Sequence, residues 1–274
     1  MEKIEFVKMN PNKNATIIVL NDYPREKYVL LSKELMRMES VYGEQVGFVE
    51  TSTDPQAYCR LHMMGGEFCA NAVASLCSYL AYEENVKVGE KKQCKIEVSG
   101  SENLIECETR RLSKGYRARI TMPLPSEIRE ESITYGGQNI KFGIVEYSGV
   151  CQGIVHDEQQ GEQSKTLAHY ILHHGLAEGY ATKGVTLFSN KSQSISPLIF
   201  VKETNTEIWE NSCGIASASL AAYQAYKQRE DITLNIAQPS GDYVCAQATY
   251  DNGFIQRVTI EEDVFLSAMG TAFI

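Results

Sequence analysis

Hydrophobic and polar positions along this chain follow two different rhythms. One is alternation: Lys95-Ile-Glu-Val98 turns at Ser99-Gly100 and returns through Leu104-Ile-Glu-Cys107, and Thr233-Leu-Asn-Ile236 turns at Ser240-Gly241 and returns through Tyr243-Val-Cys245. A period of two bounded by turn residues predicts β-hairpins. Further extended segments lie ahead of each hairpin, at 45–50 and 58–63 in the first half and at 185–189 and 198–201 in the second. The other rhythm belongs to the stretches that start at Cys69 and Cys213. Ala, Ser and Leu cover both faces of their first three turns, with almost no charge before Glu83 and Lys227. A helix that is apolar all round is predicted to be enclosed by other structure, because no face of it gains from contact with water.

These two helical stretches are an internal repeat. Cys69-Ala-Asn-Ala-Val-Ala-Ser-Leu-Cys-Ser-Tyr-Leu-Ala-Tyr82 aligns without gaps on Cys213-Gly-Ile-Ala-Ser-Ala-Ser-Leu-Ala-Ala-Tyr-Gln-Ala-Tyr226, with eight of fourteen positions identical. Average residue usage would give about one match. Each half therefore reads as strands, one central helix and a hairpin, and a duplicated unit is the simplest explanation.

The repeat places a cysteine at the start of each helix. The first N–H groups of a helix lack intrahelical partners and the dipole is positive there, so this end favours anions and thiolates. A cysteine so placed can titrate anywhere from about 3.5 to 7.5, well under the ordinary 8.5 or so. Duplication alone accounts for the conserved packing residues of the two copies, Leu76 and Leu220 among them. It accounts less well for a thiol at the reactive end of both. Two such helix ends facing one cleft would hold a carboxylate between them and each present a sulfur to the α-carbon beside it, which makes Cys69 and Cys213 the candidate acid and base.

Composition narrows the alternatives. With 274 residues the chain has room for two lobes, and 43% hydrophobic with 22% charged residues is the balance of an ordinary folded protein. A net charge of −9 disfavours nucleic acid and anionic membranes as partners and leaves a small molecule. Runs such as Ala15 to Leu20 are too short to span a bilayer, and the opening Met-Glu-Lys-Ile-Glu-Phe is unlike a secretory leader, so a cytoplasmic location is expected. Of the eight cysteines, Cys59, Cys77, Cys94, Cys107, Cys151 and Cys245 are expected to be reduced and to serve as small buried hydrophobes.

At the two cysteine segments, Cys69-Ala-Asn-Ala and Cys213-Gly-Ile-Ala, the chain resembles the diaminopimelate epimerase superfamily. It is similar more closely to the histidine racemases of staphylopine-type metallophore biosynthesis through Lys8-Met-Asn-Pro-Asn-Lys-Asn14, Glu44-Gln-Val-Gly-Phe-Val-Glu50, Glu67-Phe-Cys-Ala-Asn71 and Ile208-Trp-Glu-Asn-Ser-Cys-Gly214. The resemblance implies a mixed α/β (α+β) fold of two pseudo-symmetric lobes, each a curved, mostly antiparallel sheet around a central helix. The expected division is 1–118 plus 266–274 against 119–265, with the active site in the cleft between the lobes. It also implies a homodimer, no pyridoxal phosphate and no metal.

By the same resemblance, the N–H groups at Ala70, Asn71, Gly214 and Ile215 would hold the substrate carboxylate, and Asn14, Gln45 and Glu210 would contact the substrate or orient its surroundings. Glu44 is the candidate reader of the side chain, since a carboxylate accepts an imidazole N–H. The stretch before Cys213 lacks the arginine with which diaminopimelate epimerases bind a distal carboxylate, which weighs towards histidine. Diaminopimelate or another amino acid remains the rival substrate. Two further classes stay open: a metal-dependent enzyme, raised by His169 and His173 at i, i+4 followed by His174, and an amino-acid-binding protein without catalysis. No His-Glu-x-x-His or Cys-x-x-Cys motif supports the metal, and mere binding needs no thiol.

Overall fold

The computed structural model describes residues 2–274, and the chain divides into two units, one running through Thr121 and resuming at Glu261–Ile274, the other spanning Met122–Ile260. The first unit holds β1 (Lys3–Pro11), β2 (Thr16–Val19), α1 (Tyr28–Met36), β3 (Gln45–Glu50), β4 (Arg60–Met63), α2 (Ala70–Glu83), β5 (Lys91–Val98), β6 (Ile105–Arg111) and β7 (Tyr116–Thr121). The second holds β8 (Glu127–Tyr135), β9 (Gln138–Tyr147), β10 (Val150–His156), α3 (Glu162–His174), β11 (Thr182–Ser189), β12 (Ser194–Val201), β13 (Thr206–Trp209), α4 (Gly214–Gln228), β14 (Ile232–Ala237) and β15 (Tyr243–Asp251). The last strand, β16 (Phe254–Phe273), begins in the second unit and ends in the first. The mixed α+β class expected from the sequence is thus what forms, and the division keeps β7 whole.

In the first unit the strands run in the order β1-β2-β3-β4-β5-β6-β7, and β16 borders β7 while also pairing with β1, so the sheet closes on itself. The β2–β3 and β4–β5 pairs are parallel, whereas β1–β16, β1–β2, β3–β4, β5–β6 and β6–β7 are antiparallel. Closure leaves no open edge, and the sheet wraps around one helix. That helix is α2, which packs on β1 to β7. Ala72, Ala74, Ser75, Leu76, Cys77 and Ser78 are all fully buried, as a stretch apolar on every face requires. The alanines and serines let the strands close in, and Leu76 fills the remaining space, its burial worth roughly 1.5–3 kcal/mol.

The second unit likewise wraps its strands around one helix, α4, with strand order β16-β15-β14-β12-β11-β10-β9-β8 and β13 added beside β12. The helix packs against β9, β10, β11, β14 and β15, and Ala216, Ala218, Ser219, Leu220 and Ala221 are fully buried. Gly143 of β9 explains how the sheet approaches so closely: a Cβ there would lie 2.4 Å from the Tyr223 ring of α4. That ring's hydroxyl donates to Glu130 at 2.8 Å. On the opposite side of the sheet α3 is amphipathic, burying Ala168, Ile171 and Leu172.

The eight cysteines form no disulfide. Of the six expected to be buried, Cys59, Cys77, Cys107 and Cys151 are, whereas Cys94 and Cys245 are half-buried because they lie on hairpin strands whose cover is incomplete. No helix among the described residues is long and apolar enough to cross a membrane.

Candidate active site

Each repeat cysteine is the N-cap residue of its helix, and the two have nearly the same extended backbone, φ −135° and ψ 111° at Cys69 against φ −133° and ψ 109° at Cys213. The carbonyl of each accepts the first helical hydrogen bond, from Val73 and from Ser217, both at 3.1 Å. Neither helix has a side-chain cap. Ala70 and Asn71 therefore occupy the first turn of α2, and Gly214 and Ile215 that of α4, where N–H groups have no acceptor within the helix and the dipole favours a carboxylate.

The chain preceding each cysteine is held in an equivalent way. In the first unit Ser99, at the turn after β5, donates its hydroxyl to the Glu67 carbonyl at 2.9 Å and accepts from the Met63 N–H. In the second unit the N–H of Ser240 donates to the Asn211 carbonyl at 2.9 Å. Glu67 and Asn211 both stand two residues before their cysteine, so each Ser-Gly turn fixes the entry to its helix. Gly100 brings this turn close: its φ is +71° and a Cβ would lie 2.4 Å from the Phe68 nitrogen.

Around Cys69 the side chains form a directed chain. The thiol donates to Gln45 Oε1 at 3.0 Å. Gln45 Nε2 in turn donates to Asn14 Oδ1 at 3.0 Å and to Thr16 Oγ1 at 2.8 Å, and the Thr16 hydroxyl donates to the Asn14 carbonyl. With both amide hydrogens placed on oxygens, the amide cannot turn over, and its own oxygen is left facing Cys69. Asn14, Thr16 and Gln45 are buried, so this orientation is protected from water. Gln45 reaches Thr16 because they are register partners in the β2–β3 ladder.

Cys213 is supported differently. Its backbone N–H donates to Gln238 Oε1 at 3.1 Å, and Gln238 Nε2 donates to Ser217 Oγ at 3.1 Å and to the Ile236 carbonyl. Ser217 returns a hydrogen bond to the Cys213 carbonyl at 2.9 Å. A glutamine thus meets the sulfur of one cysteine and the backbone of the other.

Glu44 and Glu210, the remaining expected contacts, are half-buried. The Glu44 N–H donates to the Ala15 carbonyl at 2.7 Å, and that of Glu210 to the Pro197 carbonyl at 3.0 Å. Their backbones are therefore anchored next to Gln45 and ahead of Cys213.

Sequence reasoning missed Gln238 and Glu262. Gln238 follows β14 without any motif to mark it. Glu262, on β16, is fully enclosed, receiving a long hydrogen bond of 3.4 Å from Asn12. Burial, with the neighbouring charge of Asp263, pushes its carboxyl up to about 8, so it is protonated at neutral pH. A glutamate on an alternating strand reads as exposed, and nothing local contradicts that. His169 and His173 each meet one oxygen of Glu207, at 2.5 and 2.8 Å, on an exposed face. Among the described residues no group of three or more His, Cys, Asp or Glu side chains is arranged to hold a metal.

Comparison with known proteins agrees with this arrangement. The family model described as the histidine racemase CntK N-terminal domain matches residues 3–273. The histidine racemase of Fusobacterium nucleatum subsp. nucleatum is 30% identical over 246 residues, 88% of each chain. That of Staphylococcus aureus is 29% identical over 277 residues, covering 99% of this chain and 98% of its own. At the level of fold, a hydroxyproline epimerase from Agrobacterium vitis has a TM-score of 0.70 at 12% identity, covering 98% of this chain and 92% of its own. A PhzF-family phenazine biosynthesis protein of Bacillus anthracis has a TM-score of 0.67 at 13% identity over the full length of both. With a family model matched almost from end to end, and a relative at 30% identity over most of its length, the chain belongs to the histidine racemase family.

Proposed function

We propose that this protein racemises histidine, using Cys69 and Cys213 as a thiol and thiolate pair without a cofactor. The observation that carries the reading is the pair of equivalent N-cap cysteines on enclosed helices. The N–H groups of Ala70, Asn71, Gly214 and Ile215 hold the substrate carboxylate and stabilise the charge that enters it as the α-proton leaves. One sulfur removes that proton and the other supplies one to the opposite face, which inverts the centre. Gln45 Oε1 can only accept, so its contact with Cys69 exists while Cys69 carries a proton. In that protonated form Cys69 serves as the acid of the pair, and the roles exchange after each turnover.

Histidine as substrate is supported by family membership and by the chemistry of Glu44, whose carboxylate suits an imidazole N–H. Asn14, Asn71 and Glu210 complete the substrate-side residues of the proposal. The staphylopine-type resemblance extends it to a cytoplasmic homodimer serving metallophore biosynthesis.

The test is incubation with single L-amino acids in D₂O, followed by NMR. Histidine loses its α-proton signal and yields the D-enantiomer, while diaminopimelate, proline and aspartate are unchanged. Cys69→Ser and Cys213→Ser each reduce inversion at least 100-fold. Full activity in either variant would falsify the two-thiol mechanism, and inversion of another amino acid in preference to histidine would overturn the substrate.

A further inference from the structure

Three of the cysteines outside the candidate active site converge within the first unit. Cys77 lies on α2, two turns after Cys69; Cys94 lies on β5 and Cys107 is its register partner on β6. Cys94 Sγ is 3.2 Å from Cys77 Sγ and 3.9 Å from the Cys107 carbonyl. Two sulfurs at that separation are already in van der Waals contact, and a covalent bond at about 2.05 Å needs them to close by only about 1 Å. The two thiols differ in access: Cys77 is fully buried, whereas Cys94 is half-buried.

They also differ in chemistry. Hydrogen bonds from Cys107 and Cys77, with the Lys92 ammonium nearby, hold Cys94 well below the usual thiol range. Burial pushes Cys77 up, and it pushes the adjacent Cys59 up to about 12. One accessible thiolate in contact with one protonated, buried thiol is the arrangement of an attacking and a resolving cysteine.

We propose that Cys77 and Cys94 are an oxidisable dithiol, a modification site in which peroxide joins the helix that begins at Cys69 to the strand packed against it. The Cys94 thiolate attacks one peroxide oxygen, the O–O bond breaks, hydroxide leaves and a sulfenic acid forms. The Cys77 sulfur then displaces that hydroxyl, giving the disulfide and water, its proton going to the departing oxygen. Two thiols lose two electrons, and one peroxide is reduced to the level of two waters.

The test is stoichiometric hydrogen peroxide on the purified reduced protein, alkylation of remaining thiols, and peptide mapping without reductant. The tryptic peptide carrying Cys77 spans residues 61–87 and also contains Cys69, so the same experiment is run on the Cys69→Ser variant. The expected result in both proteins is a crosslink between that peptide and the one containing Cys94, a loss of 2 Da reversed by dithiothreitol. Cys94→Ser abolishes the crosslink and, because Ser preserves the fold, leaves the circular dichroism spectrum unchanged. Cys94 remaining fully alkylated after peroxide overturns the proposal, as does a crosslink that runs instead to Cys59 or Cys107, or one that disappears in Cys69→Ser. The readout is independent of racemase activity, so it stands or falls apart from the function proposed above.

Discussion

Gln45 has one orientation available to it. Its two amide hydrogens are committed to Asn14 and Thr16, so the oxygen that meets Cys69 favours the thiol over the thiolate by about the value of one hydrogen bond, on the order of 1 kcal/mol. Replacing it by Met, of similar size but without the acceptor, removes that preference. Gln45→Met should make Cys69 alkylable at a pH lower by roughly one unit, since 1.36 kcal/mol corresponds to one unit, and should shift the acidic limb of any pH–rate profile with it. An unchanged alkylation profile would show that Gln45 does not govern the proton on Cys69. Glu262 supplies a second residue-scale prediction. Its carboxyl is raised from 4.5 to about 8 by burial, so between those values the folded protein binds a proton that the unfolded chain has released. Stability contributed by this group is therefore present at low pH and declines as pH rises through the window. Glu262→Gln keeps the shape and removes the titration. Between pH 5.5 and 7.5 the variant should lose roughly 2–3 kcal/mol less stability than the parent in urea unfolding; parallel pH dependences would refute the assignment.

At the scale of elements, the turn after β5 and the helix α2 act on one another. Gly100 combines a φ of +71° with backbone contact at Phe68, and Phe68 immediately precedes Cys69. Gly100→Ala should cost about 2–4 kcal/mol, because the strained conformation and the displaced backbone add. Activity should fall with it as the N-cap moves, which urea titration and a racemisation assay would measure together. Leu76 tests packing by itself. As a fully buried residue midway along α2, Leu76→Ala should lose 2–5 kcal/mol by the usual range for such cavities, without altering the pH dependence of Cys69 alkylation. The hairpins, both central helices and the four extended segments ahead of them were legible in the sequence, since alternation and all-round apolarity are local patterns. The starts of β5 at Lys91 and β12 at Ser194 were not, because their outer halves alternate weakly and are paired by neighbours in space.

At the scale of the whole molecule, β16 is the strand on which the first unit's closure rests. Its C-terminal part pairs with β1 from Pro11–Val264 to Lys3–Phe273 and borders β7, and Arg117 and Arg119 of β7 reach Asp263 and Glu261 on it. Deleting residues 262–274 opens two strand edges around α2 and exposes its apolar surface. The α2 amides should then lose most of their hydrogen-exchange protection, an outcome that mass spectrometry of peptides across residues 70–83 would register. Retained protection would mean that the helix is held without the last strand.

The sequence by itself determined the repeat, the enclosed helices and the cysteine at the head of each, because these are encoded within stretches short enough to carry their own pattern. Only the tertiary structure decided which groups those cysteines meet. Gln45 stands 24 residues before Cys69 and Gln238 stands 25 after Cys213, while Glu262 and Asn12 are 250 residues apart. The same holds for Cys77 and Cys94, which read as separate buried hydrophobes until α2 and β5 bring their sulfurs into contact. Strand order and register set such pairings, and they depend on how the whole sheet closes, a property that no single segment of the chain contains.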